Sequence, residues 1–151
     1  MIIMLRLADR LLRTAWESID NHKNLIADPK AYPPVTEGSK KFFAGEVEIY
    51  HVLPTSDPLP ALKAPIYEIA TCIVNDPSLQ SEIENVLEEM ASSVRSFPPS
   101  DGVYGAAWGP VPEKPGTHVI LVGYKSIEVK FNRCNSLVLR LTHRLLMIRL
   151  T

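Results

Sequence analysis

The side chains best suited to chemistry in this 151-residue chain are its aromatic residues and its four histidines. Tyr104 and Trp108 fall on one face of an expected strand, and His118 and Tyr124 fall on the next strand. Trp16, His22, His51 and Tyr67 complete the set of candidate ligand-lining residues. Indole and phenol rings give a flat apolar ligand a surface to stack on. A histidine or tyrosine close by could take a proton from a phenolic hydroxyl. Each residue also has a plainer reading. Trp108 and Tyr124 sit where strands ordinarily supply large packing residues. His51 alternates with Val47, Ile49 and Leu53, as a hydrogen-bonded or edge histidine would. No catalytic residue is fixed by spacing alone.

Other chemistries find no footing. The chain has no G-x-G-x-x-G, no G-x-x-x-x-G-K-[ST], no G-x-S-x-G and no H-E-x-x-H, so nucleotide binding, the hydrolase elbow and zincin chemistry lack support. Its two cysteines, Cys72 and Cys134, show no Cys-x-x-Cys spacing and no nearby histidine, so reduced thiols without a metal are expected. The formal net charge is −1 with acids and bases interspersed, which argues against a nucleic-acid partner. Glu82, Glu84, Glu88 and Glu89 read as the solvated faces of a helix.

The elements that must position these residues follow from periodicity. Leu79, Ile83, Val86, Leu87, Met90, Val94 and Phe97 recur at three- and four-residue steps, which predicts a helix from Pro77 to Phe97 capped by Asp76. Ile66–Val74 before it, and Val103–Trp108 and Thr117–Tyr124 after it, read as strands, so this half runs β-α-β-β. Upstream, Glu17–Ala27 reads as a helix ending at Asp28-Pro29, and Glu46–Leu53 alternates as a strand. Between them, Lys30–Ala44 is broken by Pro33 and Pro34 and is expected to hold only a short helix near Ser39–Ala44.

Trp16-Glu17-Ser18-Ile19-Asp20 and Tyr124-Lys125-Ser126-Ile127-Glu128 share one pattern: an aromatic ending a strand, a charge, a capping serine, an isoleucine and an acid in the first helical turn. The fold class expected is α+β, a ferredoxin-like antiparallel sheet with helices on one face and its elements in permuted order. Residues 1–53 would be the C-terminal part of a first module, lacking its opening strand, helix and second strand. Residues 54–64 would be a Pro-rich linker, 65–128 the N-terminal part of a second module, and 129–151 a divergent basic apolar tail, the whole forming one compact domain.

The run Gly102–Gly109 followed by Val119–Ser126, together with Leu12–His22 and Glu46–Val52, resembles the dimeric α/β-barrel proteins, in particular antibiotic-biosynthesis-monooxygenase (ABM)-like domains. That resemblance covers roughly Leu12–Glu128 and implies a tandem pair of partial copies, a homodimer, and a pocket between sheet and helices for a small apolar or aromatic ligand. It further implies oxidation of phenolic or quinol-like substrates without a cofactor, with haem as the alternative and His22 as a conceivable axial ligand. A noncatalytic ligand-binding or interaction module, a degenerate relative of that family, is the competing expectation. Met1–Leu12 is interrupted by Arg6, Asp9 and Arg10, unlike a signal peptide, and no apolar run spans a bilayer, so a cytoplasmic location is expected. Leu137–Leu150, apolar with Arg140, His143, Arg144 and Arg149, suits helix or strand equally.

Overall fold

A computed structural model of the chain describes residues 2–7, 10–40 and 48–133. The expectations for Cys134 and for Leu137–Leu150 lie outside these residues. The described chain is α+β and divides into two compact units, residues 1–53 with 111–115 and residues 54–110 with 116–151.

The first unit contains strands β1 (Ile2–Leu7) and β2 (Arg10–Ala15), helices α1 (Ile19–Ala27) and α2 (Tyr32–Lys40), and strand β3 (Glu48–Val52). Its sheet has the order β2-β1-β3 and is antiparallel throughout. Ile3 pairs with Thr14 on one side and with His51 on the other. A strand therefore stands at Ile2–Leu7, a stretch in which the sequence suggested none. The charge at Arg6 obscures it, because this central strand is specified by backbone pairing to two neighbours and carries no simple alternation. Ser18 caps α1 as expected, its hydroxyl accepting the Asn21 N–H at 3.1 Å. Asp28 then closes the turn into α2 by accepting the N–H groups of Lys30 and Ala31.

Helix α2 corrects the expectation of a Pro-broken segment. Pro33 and Pro34 stand in its first turn, where a helix has no use for their missing N–H groups and the fixed φ already suits it. The helix starts at Tyr32 rather than near Ser39, and residues 41–44 lie outside those described.

The second unit runs α3 (Leu59–Leu62), β4 (Ile66–Ile73), a 3₁₀ turn (Pro77–Leu79), α4 (Gln80–Arg95), β5 (Val103–Pro110) and β6 (Thr117–Tyr124), with residues 127–133 helical. The sheet order β4-β6-β5 places the last strand in the middle. Asp76 caps the 3₁₀ turn, accepting the Ser78 N–H at 2.9 Å, and hands the chain on to α4. One stripe of α4, Leu87, Ala91 and Val94, packs on Val103, Ala106, Trp108, Val122 and Tyr124, with Ile83, Met90 and Phe97 at the margin. Removing an interior methylene group there costs on the order of 1 kcal/mol, so this stripe holds helix and sheet together.

The segment read as a linker is partly ordered. Asp57 accepts the Leu59 N–H at the start of the four-residue α3. That helix sits so close to the sheet that a Cβ on Gly123 would come 2.7 Å from Ala61 Cα, and one on Gly105 would come 3.1 Å from Pro60 Cβ. The second Ser-Ile-acid turn also behaves as a helix entry: Ser126 Oγ accepts the Val129 N–H at 3.4 Å.

Candidate functional site

Three of the sequence-singled residues converge in the first unit. The Ser18 cap sets the start of α1 and thereby the angular position of His22 one turn later, while Trp16 lies just before the cap. His51 lies on β3, an edge strand of the sheet. The Trp16 and His22 rings stand 5.0 Å apart by centroid, and those of His22 and His51 stand 5.1 Å apart. His22 Nδ1 lies 2.8 Å from His51 Nε2 in a buried hydrogen bond. Both imidazoles are almost wholly buried, at 7 % and 6 % exposure.

The far side of His51 is held by a residue that sequence reasoning missed. Glu113, from the Val111-Pro112-Glu113-Lys114-Pro115 segment, takes the His51 backbone N–H on Oε2 at 3.0 Å and faces His51 Nδ1 with Oε1. The neighbouring Lys114 pairs with Glu48 and stands 4.9 Å above the Tyr50 ring, so this short segment grips β3 at both ends. Burial, and then the nearby His51, hold His22 below the ordinary histidine range. Burial pushes the Glu113 carboxyl up, but the hydrogen bonds it accepts from His51 and from its own backbone N–H, together with the charge interaction with His51, outweigh that and leave it below the usual carboxylate range. The only hint in the sequence was an acid and a base enclosed between two prolines, a rigid frame for charged side chains.

The second unit distributes the remaining candidates differently. Trp108 is buried in the core cluster and donates Nε1–H to Glu88 at 2.8 Å, and Arg95 pairs with the same carboxylate. Glu88 is thus tied to the sheet and is not simply part of a solvated face. His118 is fully buried, 5.5 Å edge-on from the Trp108 ring; its Nε2 lies 2.9 Å from Gln80 Nε2 and 3.8 Å from Glu84 Oε1. Its Nδ1 has no hydrogen-bond partner among the described residues. Burial lowers its pKa against an opposing pull from Glu84. Tyr124 is a buried member of the same cluster, with its hydroxyl 3.5 Å from Glu68.

Tyr104 does not share the setting of Trp108, as a four-residue step along a regular strand would require. A β-bulge between Val103 and Gly105, with Gly105 at φ +149°, breaks the alternation and leaves Tyr104 exposed. It lines a cleft of about 310 Å³ with Phe97, Val103, Arg95 and Pro60. Tyr67 stands on β4 opposite Gly123 and is likewise exposed. No group of three or more His, Cys, Asp or Glu placed to hold a metal ion occurs among the described residues. His22 Nδ1 and His51 Nε2 face each other rather than a common point.

Comparison with solved structures finds a crystal structure from Fusobacterium nucleatum subsp. nucleatum, described as a "putative monooxygenase", with a TM-score of 0.57 and 10 % sequence identity. The match covers 87 % of this chain and 62 % of that one, so the chain spans less than two thirds of that protein's length. At this identity the likeness is one of fold, and it agrees with the α+β, ferredoxin-like architecture described above. Neither a protein-family model nor a curated protein sequence gives a significant match. No helix among the described residues is long and apolar enough to cross a membrane.

Proposed function

We propose that this protein binds a small aromatic ligand, phenolic or quinol-like, and promotes its oxidation in the manner of a cofactor-independent monooxygenase. The observation that carries the reading is the cluster of Trp16, His22, His51 and Glu113: a ring to stack on, beside a buried hydrogen-bonded pair of imidazoles backed by a carboxylate. The fold shared with a protein described as a monooxygenase supports the same direction.

Deprotonation is the step such a site can supply. A phenolate is far more electron-rich than its phenol, so loss of the hydroxyl proton is what opens the ring to dioxygen. In the overall reaction one oxygen atom enters the ring, the other leaves as water, and all the electrons come from the phenol as it becomes a quinone. No external reductant is consumed. The protein's part is to bind the ring, accept the proton and exclude water. A homodimer in the cytoplasm, without nucleic acid, completes the proposal. Haem bound through His22 is the alternative cofactor.

The competing reading, a noncatalytic binding or interaction module of the same ancestry, draws on Trp108, His118 and Tyr124. These lie at 7 %, 0 % and 1 % exposure, placements that serve packing. The test is ligand titration of the full chain carrying Trp108→Phe, so that Trp16 is the only indole. Quenching of Trp16 by phenols and quinols, lost in a further His22→Ala variant, is expected. Absence of saturable quenching across the panel would remove the reading, and a Soret shift on haem addition would replace it with the haem alternative.

A further inference from the structure

The hydrogen bonds around His51 form a directed chain, and its direction follows from the one member that can only accept. An ionised carboxylate has no proton to give. Glu113 faces both the backbone N–H and ring Nδ1 of His51, so the ring nitrogen must carry the proton in that contact. In a neutral imidazole the other nitrogen is then a bare acceptor. With His51 neutral, its Nε2 is that acceptor, and it lies 2.8 Å from His22 Nδ1, which then carries a proton. By the same rule His22 Nε2 is left with its lone pair free. Both rings are therefore held as Nδ1–H tautomers by a carboxylate two bonds of the chain away from the free nitrogen.

We infer that Glu113 is a positioning residue that fixes the tautomers of a two-histidine proton relay, making His22 Nε2 the base that meets an acidic hydroxyl. This deepens the function proposed above and rests on that reading for the identity of the acid. The proton step balances as follows. The O–H bond of the ligand breaks with its electron pair left on oxygen, and a new N–H bond forms at His22 Nε2. His22 then gives its Nδ1 proton to His51 Nε2. The positive charge ends on His51, directly against the Glu113 carboxylate.

This arrangement resolves an apparent contradiction at the site. Burial disfavours a charged His22, which alone would make it a weak base. Passing the charge inward to His51 places it where the chain already holds a negative partner. The other charged groups of β3 and the 111–115 segment, Glu48 and Lys114, are engaged with each other and leave Glu113 as the acceptor facing the ring. Glutamine at 113 could not substitute: both carboxylate oxygens face donors, so its amide NH₂ would confront one of them.

The test is a long-range ¹H–¹⁵N correlation spectrum of the histidine rings in the full, unsubstituted chain at about pH 8, above the ordinary histidine range. His22→Gln and His51→Gln variants assign the signals. The expected result is that His22 and His51 both show the Nδ1–H pattern, the minor tautomer of free histidine in water. In Glu113→Gln the His22 signal is expected to move to the Nε2–H pattern or to a mixture. Finding His22 as Nε2–H in the unsubstituted chain would overturn the inference without need of any variant. So would a His22 pattern that Glu113→Gln leaves unmoved. The expected tautomers in a chain that binds no phenol would uphold the relay while removing the proposed function, so the two failures are distinguishable.

Discussion

Replacing Gly123 by alanine probes the tightest approach in the second unit. A Cβ at that position would lie 2.7 Å from both Ala61 Cα and the Ala61 carbonyl oxygen and 2.8 Å from Ala64 Cβ. Two of these are main-chain atoms, so no rotamer change relieves the clash and α3 must lift away from β6. Overpacking of this kind costs about 1–3 kcal/mol. Alanine recovers roughly 0.5–1 kcal/mol because glycine loses more backbone freedom on ordering within a strand. The difference spans about 0–2.5 kcal/mol, and approaches of 2.7 Å to main-chain atoms put the net loss in its upper part, about 1–2 kcal/mol. With a urea slope of about 2 kcal/mol per M, the unfolding midpoint should fall by roughly 0.5–1 M at unchanged slope. The assay is a urea titration in a Trp16→Phe background, so that Trp108 alone reports on this unit. Gly38→Ala in α2 is the control, because nothing lies within 4 Å of its added Cβ; followed through Trp16 in a Trp108→Phe background, it should be neutral or stabilising. A Gly123→Ala midpoint equal to or above the parent's would refute the close packing of α3 on the sheet.

Three further outcomes are expected. Stability should decline as pH falls below about 6.5, because buried His22 and His118 resist the protons that the unfolded chain takes up; the signs agree, since each folded pKa is depressed. Thermal melts of His118→Gln across that range should show a shallower decline, and an unchanged slope would contradict the assignment. Trp108→Phe should cost roughly 1–2 kcal/mol through loss of its hydrogen bond to Glu88, with the figure held down by that carboxylate's exposure; combined with Glu88→Gln, the losses should be less than additive in a denaturation cycle. Ser18→Ala should remove about 1 kcal/mol from α1 and weaken phenol quenching of Trp16 by loosening His22, whereas unaltered binding would detach the cap from the site.

The parts of the fold legible in the sequence are those governed by local rules. Thr117–Tyr124 emerged with its bounds intact because its apolar run is flanked by Gly116 and the Lys125-Ser126 turn, and Ser18 and Asp76 announced their helices by capping chemistry. The first turn of a helix hides prolines that would break its interior, and for that reason Pro33 and Pro34 disguise the helix Tyr32–Lys40 as a broken segment. The bulge at Tyr104 left no mark beyond a glycine. At the site, His22 and His51 stood out by type, but their contact joins positions 29 residues apart, and Glu113 reaches His51 across 62. No periodicity encodes pairings of that range. They become visible only when loop and strand are placed together.

The most direct measurement of the central claim is oxygen uptake by the full chain in the presence of a panel of phenols and quinols, with His22→Gln measured alongside. The account predicts consumption above the protein-free rate for at least one member of the panel, quinone formed in step with oxygen consumed, and loss of both in His22→Gln. Uptake that persists undiminished without His22, or none with any member of the panel, would contradict it.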